Sequence, residues 1–146
     1  ILIGAGTVVQ VSDVARVGEA GAQMILAPNT DTEVIAAASQ RGMAVVPGFL
    51  TATEAFSAYR AGARYLKLFP ADILGANYVQ AIRSVLPVDA RIVPVGGITV
   101  ENISEFLAAG STAFGIGSQL YRAGRSVEDV ARRAEAYIAA FKTDRH

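Results

Sequence analysis

Lys67 is the residue of this sequence whose type and position best suit covalent chemistry. It lies in the middle of the apolar run Tyr65–Phe69 and, at the side-chain period of a strand, shares a face with Tyr65 and Phe69. An ammonium group is costly among apolar side chains, so burial would lower the pKa of Lys67 and leave part of the amine neutral. A neutral amine attacks a ketone to form an imine, and the protonated imine withdraws electrons when an adjacent carbon–carbon bond breaks. The alternative is a structural lysine that extends its ammonium to solvent or protects a sheet edge.

Two glycine-containing loops late in the sequence are candidates for binding an anion. Gly96 and Gly97 follow the apolar run Ile92–Val95, and Gly117 and Ser118 follow a second run. Glycine lets the backbone approach a ligand closely, and amides at the start of a helix point toward a bound phosphate. Barrel enzymes commonly bind phosphate after their last two strands. The alternative is that each loop is only a tight turn.

Three further residues lie at the ends of predicted strands. Thr7 closes the small-residue segment Gly4–Gly6 with a hydroxyl that can meet a carboxylate or hydroxyl of a substrate. Pro28 and Phe69 are predicted to form part of the wall of a site, because substrates of barrel enzymes bind at the carboxyl ends of the strands. The alternative for Thr7 is an ordinary turn and helix cap.

A repeated strand and helix must position these candidates. Glycines at 21, 42, 62 and 110 each mark a helix end and are followed by an apolar run, the first three being 21 and 20 residues apart. Strands are predicted near 1–5, 24–28, 43–48, 65–70, 91–96 and 113–117, each followed by a helix. Helices are predicted to begin near Ser12-Asp13, Asp31-Thr32, Thr51–Thr53 and Thr99. The helix that begins near Thr99 is predicted over Val100–Ala109, and the last helix is predicted over Val127–Lys142. Continuous apolar runs are typical of a parallel sheet that is covered on both faces.

Alternating strands and helices indicate an α/β fold, either a closed eight-fold barrel or an open doubly wound sheet. At 146 residues and 52% hydrophobic residues, the chain has the size of one domain, residues 1–146. A full barrel normally needs at least ~200 residues. Because the sequence begins inside a strand, about two βα units are expected upstream.

Composition argues against several classes of function. Thirteen Lys and Arg balance 13 Asp and Glu, which predicts no nucleic-acid partner and no anionic membrane partner. The absence of cysteine and the single His146 predict chemistry without a metal. No apolar run approaches the roughly 20 residues that span a bilayer, so a soluble, cytoplasmic protein is expected.

Taken in order, the motifs resemble the KDPG/KDPGal aldolase family over the whole chain. They are Ile3–Val8, Ala27–Asn29, Pro47-Gly48, Thr51–Ala55, Leu66–Ala71, Val95–Ile98 and Gly115–Ser118. Pro28-Asn29 and Gly117–Gly124 are more similar to the phosphogalactonate branch than to the phosphogluconate branch.

The resemblance implies a (β/α)8 TIM barrel, usually a homotrimer, that needs no cofactor. The implied reaction is the reversible cleavage of 2-dehydro-3-deoxy-6-phosphogalactonate to pyruvate and D-glyceraldehyde 3-phosphate, a step of galactonate degradation. Lys67 would form the imine, Thr7 would contact the pyruvate end, and Phe69 and Pro28 would be its hydrophobic wall. Gly97, Gly117 and Ser118 would hold the phosphate.

Members of this family carry two further βα units before the Gly-Ala-Gly-Thr strand. Those units include a proton-shuttling glutamate and an arginine that contacts substrate, and neither position exists in residues 1–146. We therefore expect about six βα units here, from the ordered part of a longer protein, a truncated product or a fragment. Imine formation could survive without the carboxylate, whose proton transfer is typically worth ~10²–10⁴-fold. The alternatives are a 2-dehydro-3-deoxy-6-phosphogluconate aldolase, a non-catalytic phosphosugar-binding fragment, or another phosphate-binding barrel enzyme.

Overall fold

Helices and strands alternate along the computed structural model, which describes residues 1–143. The strands are β1 Gly4–Gly6, β2 Met24–Leu26, β3 Ala44–Val46, β4 Gly48–Phe49, β5 Tyr65–Leu68 and β6 Arg91–Pro94. The helices are α1 Val11–Glu19, α2 Thr32–Gln40, α3 Ala52–Arg60, α4 Ala71–Arg83, α5 Ile103–Ala108 and α6 Val127–Thr143. They form two parallel sheets of three strands, in the orders β1-β2-β3 and β4-β5-β6, so the predicted α/β class is confirmed.

The chain divides into two compact units, which are described separately. The first comprises residues 1–69 with 86–91, and the second comprises residues 70–85 with the described residues from 92 onward. In the first unit, Ile25, Ile35 and Leu66 are fully buried, and in the second Val79, Ile92 and Ile98 are. The single domain over residues 1–146 remains a prediction. None of the helices described in residues 1–143 has the length and apolar character needed to cross a membrane.

Side-chain caps fix the starts of two helices in the first unit. Asp31 accepts hydrogen bonds from the amides of Glu33 and Val34 at the start of α2. Thr51 and Glu54 form a reciprocal capping box at the start of α3. Hydrogen bonds from the Leu50 and Thr51 amides lower the pKa of Glu54. The prediction that these helices begin near Asp31 and Thr51 is confirmed.

The helix start predicted near Ser12-Asp13 is confirmed to within one residue, whereas the one predicted near Thr99 is wrong. The cap of α1 is Gln10, so Ser12 lies inside the helix. The helix predicted over Val100–Ala109 begins only at Ile103. The Thr99 amide donates to the Asn102 side-chain oxygen at 2.9 Å, and the Asn102 amide donates to the Thr99 hydroxyl oxygen at 3.3 Å. These two bonds hold a separate turn ahead of α5.

Two predicted strands also differ. The strand predicted at 43–48 divides into β3 and β4 at Pro47, because proline has no amide to donate to a ladder. The strand predicted at 113–117 is reduced to one parallel bridge between Val95 and Gly115. A Cβ on Gly115 would lie 2.5 Å from the Val95 side chain, so the absence of a side chain permits this single close approach.

Gly48 occupies the most crowded glycine position of the first unit. A Cβ at this position would lie 2.2 Å from the carbonyl oxygen of Pro28. The segment is held there from both sides, because the Gly48 amide donates to Asn29 at 3.2 Å and the Thr30 hydroxyl donates to the Gly48 carbonyl at 2.8 Å. A rotamer change cannot relieve a clash with backbone.

We expect Gly48→Ala to lower the free energy of unfolding by at least about 2 kcal/mol, because the chain must move apart around the new methyl group. The matched control is Gly6→Ala, where nothing lies within 4 Å of the added Cβ. Urea denaturation of the two variants and the parent measures the difference. Equal stabilities of the two variants would show that the approach to Pro28 is not a constraint in solution.

Candidate active site

Lys67 lies in the third position of β5, and the two faces of this strand differ in exposure. Leu66 and Leu68 are fully buried, whereas Tyr65 is 44% and Phe69 39% exposed. Lys67 is half-buried on the face of these aromatic residues, and its Nζ lies 4.4 Å from the centroid of the Phe69 ring. The predicted shared face of Lys67, Tyr65 and Phe69 is thus consistent with the structure.

Burial lowers the pKa of Lys67 from its usual value of 10.5, because removing water disfavours the ammonium form. The ring of Phe69 acts in the opposite direction, since its face attracts a cation. Within residues 1–143, no carboxylate lies at ion-pairing distance from Lys67. Desolvation is therefore the dominant influence, and the amine is easier to deprotonate than that of a free lysine.

The backbone around Lys67 is fixed by β4. The Lys67 amide donates to the Pro47 carbonyl at 2.8 Å, and the Phe69 amide donates to the Phe49 carbonyl at 3.3 Å. Lys67 is in register with Gly48, which approaches the backbone of Pro28. The structure therefore connects two predicted site residues, Lys67 and Pro28, through a single intervening strand.

Thr7 follows β1 and has a positive φ of 59°, the only non-glycine residue among the described residues with this conformation. A β-branched residue in the left-handed region is strained, and such strain is concentrated at functional sites. The next amide, of Val8, donates to the Leu26 carbonyl at 3.2 Å. This bond holds exposed Thr7 beside the end of β2, at the same edge of the sheet as Pro28.

In the second unit, Gly96 and Gly97 follow β6 with φ values of 94° and 66°. A Cβ on Gly97 would lie 2.3 Å from the Cβ of Asp72, and one on Gly96 would lie 3.4 Å from Pro70. The Asn102 side-chain amide donates to the Gly97 carbonyl at 2.9 Å. These glycines are therefore required by positive φ and by packing, which accounts for them even without a ligand.

The loop with Gly117 and Ser118 is an exposed turn. The amides of Leu120 and Tyr121 both donate to the Gly117 carbonyl, at 2.9 and 3.1 Å. A Cβ on Gly117 would meet nothing within 4 Å, so the surface around this position is open. Sequence reasoning missed a group of arginines that binds the carbonyls of this turn, although the i,i+4 spacing of Arg125 and Asp129 could have indicated it.

The residues that could hold a metal ion are few. Within residues 1–143, no group of three or more His, Cys, Asp or Glu side chains converges. His146, the single histidine of the sequence, lies outside the described residues.

The sequence matches the family model described as "KDPG and KHG aldolase" over residues 1–135. It is 47% identical over 141 residues to the 2-dehydro-3-deoxy-6-phosphogalactonate aldolase of Escherichia coli strain K12. That match covers 97% of this chain and 69% of the relative.

Two solved structures are similar over nearly the whole chain. One, described as the native KDPGal structure, has a TM-score of 0.96 at 46% sequence identity. The match covers 98% of this chain and 69% of the other chain. The other is the KDPG aldolase of Legionella pneumophila with pyruvate captured as a covalent carbinolamine intermediate, with a TM-score of 0.75 at 27% identity. That match covers 97% of this chain and 68% of the other. The chain thus spans about two thirds of the length of these proteins.

The strain at Thr7 gives a prediction with a definite sign. We expect Thr7→Gly to raise the free energy of unfolding by about 0.5–1 kcal/mol, because the release of left-handed strain exceeds the added entropy of an unfolded glycine. The control is Thr53→Gly in the first turn of α3, where the same substitution should lower stability. Thermal unfolding of both variants measures the two signs, and a lower melting temperature for Thr7→Gly would contradict the strain.

Proposed function

Because the chain belongs to the KDPG and KHG aldolase family, we propose that it is a class I aldolase that cleaves 2-dehydro-3-deoxy-6-phosphogalactonate to pyruvate and D-glyceraldehyde 3-phosphate. The predicted family and the predicted enzyme class, an aldehyde-lyase, are confirmed by the family match and by 47% identity to a curated aldolase. The observation that carries the mechanism is the half-buried Lys67 amine, whose pKa burial lowers.

The proposed chemistry begins with the neutral amine of Lys67. It attacks the C2 ketone to form a carbinolamine, which takes up a proton from solvent and loses water to leave a protonated imine. A water molecule accepts the proton of the C4 hydroxyl as the C3–C4 bond breaks, and the electron pair of that bond moves to the imine nitrogen to give an enamine. The aldehyde leaves as D-glyceraldehyde 3-phosphate. Protonation of the enamine at C3 and hydrolysis of the imine release pyruvate and restore Lys67.

The residues near Lys67 in the first unit suit the pyruvate end of this substrate. Phe69 and Pro28 would form its hydrophobic wall, since the Phe69 ring lies 4.4 Å from Lys67 Nζ and Pro28 lies against Gly48. The Thr7 hydroxyl would donate a hydrogen bond to the carboxylate of the substrate. The strained backbone at an exposed strand end supports this role.

The phosphate end is assigned to the two glycine loops of the second unit. Gly117 and Ser118 are exposed in an open turn, which supports their predicted role in binding an anion. Gly96 and Gly97 keep their predicted role, but their close approach to Pro70 and Asp72 shows that packing alone also requires glycine there. Of the two loops, the Gly117-Ser118 turn is therefore the stronger candidate.

We infer the substrate preference and the assembly by analogy with the relatives. The galactonate substrate is favoured over the gluconate substrate because identity is 46% to the native KDPGal structure and 27% to the KDPG aldolase structure. The complete (β/α)8 barrel, the homotrimer, the cytoplasmic location and the role in galactonate degradation are parts of the same proposal. The α/β organisation of the described residues supports the barrel, and the other three are carried over from the family resemblance.

The test is reductive trapping, and the sequence suits it because Lys67 and Lys142 are its two lysines. We expect incubation with pyruvate and sodium borohydride to give one stable adduct, located on Lys67 by peptide mapping. Lys67→Met should remove that adduct, because a thioether cannot form an imine. Lys142→Met, on the exposed end of α6, should retain it in full.

A folded parent chain without an adduct on Lys67, or an adduct that persists in Lys67→Met, would contradict the proposal. Turnover of the phosphorylated keto acid is measured separately in the same samples. Trapping without turnover would support imine formation by Lys67 and favour the non-catalytic fragment for residues 1–146 alone. Trapping with turnover would exclude that alternative.

A further inference from the structure

The turn at residues 117–121 has an ordered backbone orientation. The Gly117 carbonyl accepts hydrogen bonds from the amides of Leu120 and Tyr121, so this peptide oxygen points into the turn. Among residues 1–143, the amides of Ser118 and Gln119 donate no hydrogen bond. Because the amide of each peptide points away from its carbonyl, the direction of those two amides is set by the groups that hold the carbonyls of Gly117 and Ser118.

Three arginine side chains hold the carbonyls that follow. The Arg125 Nη1 donates to the carbonyls of Gln119 at 2.9 Å and Leu120 at 2.7 Å, with a longer contact of 3.4 Å to Ser118. Arg122 Nε donates to the Ser118 carbonyl at 3.0 Å, and Arg133 Nη1 donates to the Gln119 carbonyl at 3.2 Å. Three consecutive peptide oxygens of the turn are thus fixed by guanidinium groups, whose planar forks suit several acceptors at once.

Asp129, in the first turn of α6, orients two of these arginines. Its Oδ2 accepts from Arg125 Nε at 3.2 Å and from Arg133 Nε at 2.9 Å, and its Oδ1 accepts from Arg132. Hydrogen bonds from Arg133 and then Arg132 lower the pKa of Asp129, so the carboxylate remains charged. The Arg125 side chain is only 14% exposed, whereas that of Arg132 is 77% exposed and contacts Asp129 without reaching the turn.

We propose that Asp129 is a positioning residue for phosphate recognition, acting through Arg125 and Arg133. These arginines hold the carbonyls of Gln119 and Leu120, and so direct the amides of Leu120 and Tyr121. Those two amides fix the Gly117 carbonyl, which aims the Ser118 amide of the same peptide at the phosphate. This inference rests on the proposed role of the Gly117-Ser118 turn. Arg133 on α6 and Arg125 just before it thus connect Asp129 to the backbone of the candidate site. Asp129 carries a negative charge and makes no direct contribution to binding an anion.

Because Asp129 is negatively charged, the direction in which its substitution changes phosphate affinity tests the inference. If the cluster acted only through its electric field, Asp129→Asn would remove one negative charge and strengthen phosphate binding. If Asp129 positions the arginines, the same substitution frees Arg125 and Arg133 to leave the turn and weakens binding. The two accounts therefore predict opposite changes.

The experiment is an NMR titration of the ¹⁵N-labelled 146-residue chain with sn-glycerol 3-phosphate, an unreactive probe. In the parent we expect saturable shifts of the Ser118 and Gln119 amides. Asp129→Asn should weaken the affinity about tenfold, as loss of supporting hydrogen bonds around a site commonly does. It should also reduce the hydrogen-exchange protection of the Leu120 and Tyr121 amides. Arg132→Ala, the matched control, should stay within about twofold of the parent.

The outcomes separate this inference from the function on which it rests. Unchanged or tighter binding in Asp129→Asn, or equal weakening in Arg132→Ala, would overturn the positioning role while the phosphate site stands. A parent with no shift at Ser118 and Gln119 would overturn both the inference and the phosphate assignment. Pyruvate trapping on Lys67 is measured beside each titration and should be unchanged in Asp129→Asn, because pyruvate has no phosphate; its failure in the parent would count against the aldolase proposal itself.

Discussion

The desolvation of one amine is the constraint on which the candidate chemistry depends. Lys67 needs enough burial to favour the neutral form and enough access to meet a ketone, and its half-buried position on β5 provides both. The opposite face of the strand is anchored by fully buried Leu66 and Leu68. Because the Lys67 amide is bonded to the Pro47 carbonyl at 2.8 Å, the side chain starts from a fixed backbone position.

Close backbone approach shapes the strand ends of the first unit. Without a side chain, Gly48 lets β4 lie against Pro28, and Thr7 accepts a strained φ of 59° beside the end of β2. In the second unit, by contrast, the open turn at Gly117 is shaped from outside by guanidinium groups that hold its carbonyls. The candidate residues of the first unit thus depend on the packing of strands, and the turn of the second unit depends on the polar cluster around Asp129.

Much of this organisation could be predicted from the sequence, because parallel strands and helix ends leave strong local patterns. The runs that became β2, β5 and β6 were predicted, as was Lys67 in mid-strand. The strand predicted at 113–117 is reduced to a single bridge at Gly115, because its two glycines lack side chains that could stabilise a strand. The contacts of Arg125 were missed because they join side chain to backbone, and a backbone carbonyl leaves no mark on residue type.

The most direct test of the account is the pKa of Lys67, measured from the pH dependence of its ε-carbon resonance by NMR. A Lys142→Arg background removes the second lysine of the sequence and leaves a single signal. We expect Lys67 to titrate below 10.5, so that the neutral amine gains population at lower pH than in a free lysine. The folded state then becomes more stable as pH rises from the lowered pKa toward 10.5. A pKa at or above 10.5 would mean that contact with the Phe69 ring or with solvent outweighs burial, and would contradict the claim that the fold prepares Lys67 as a nucleophile.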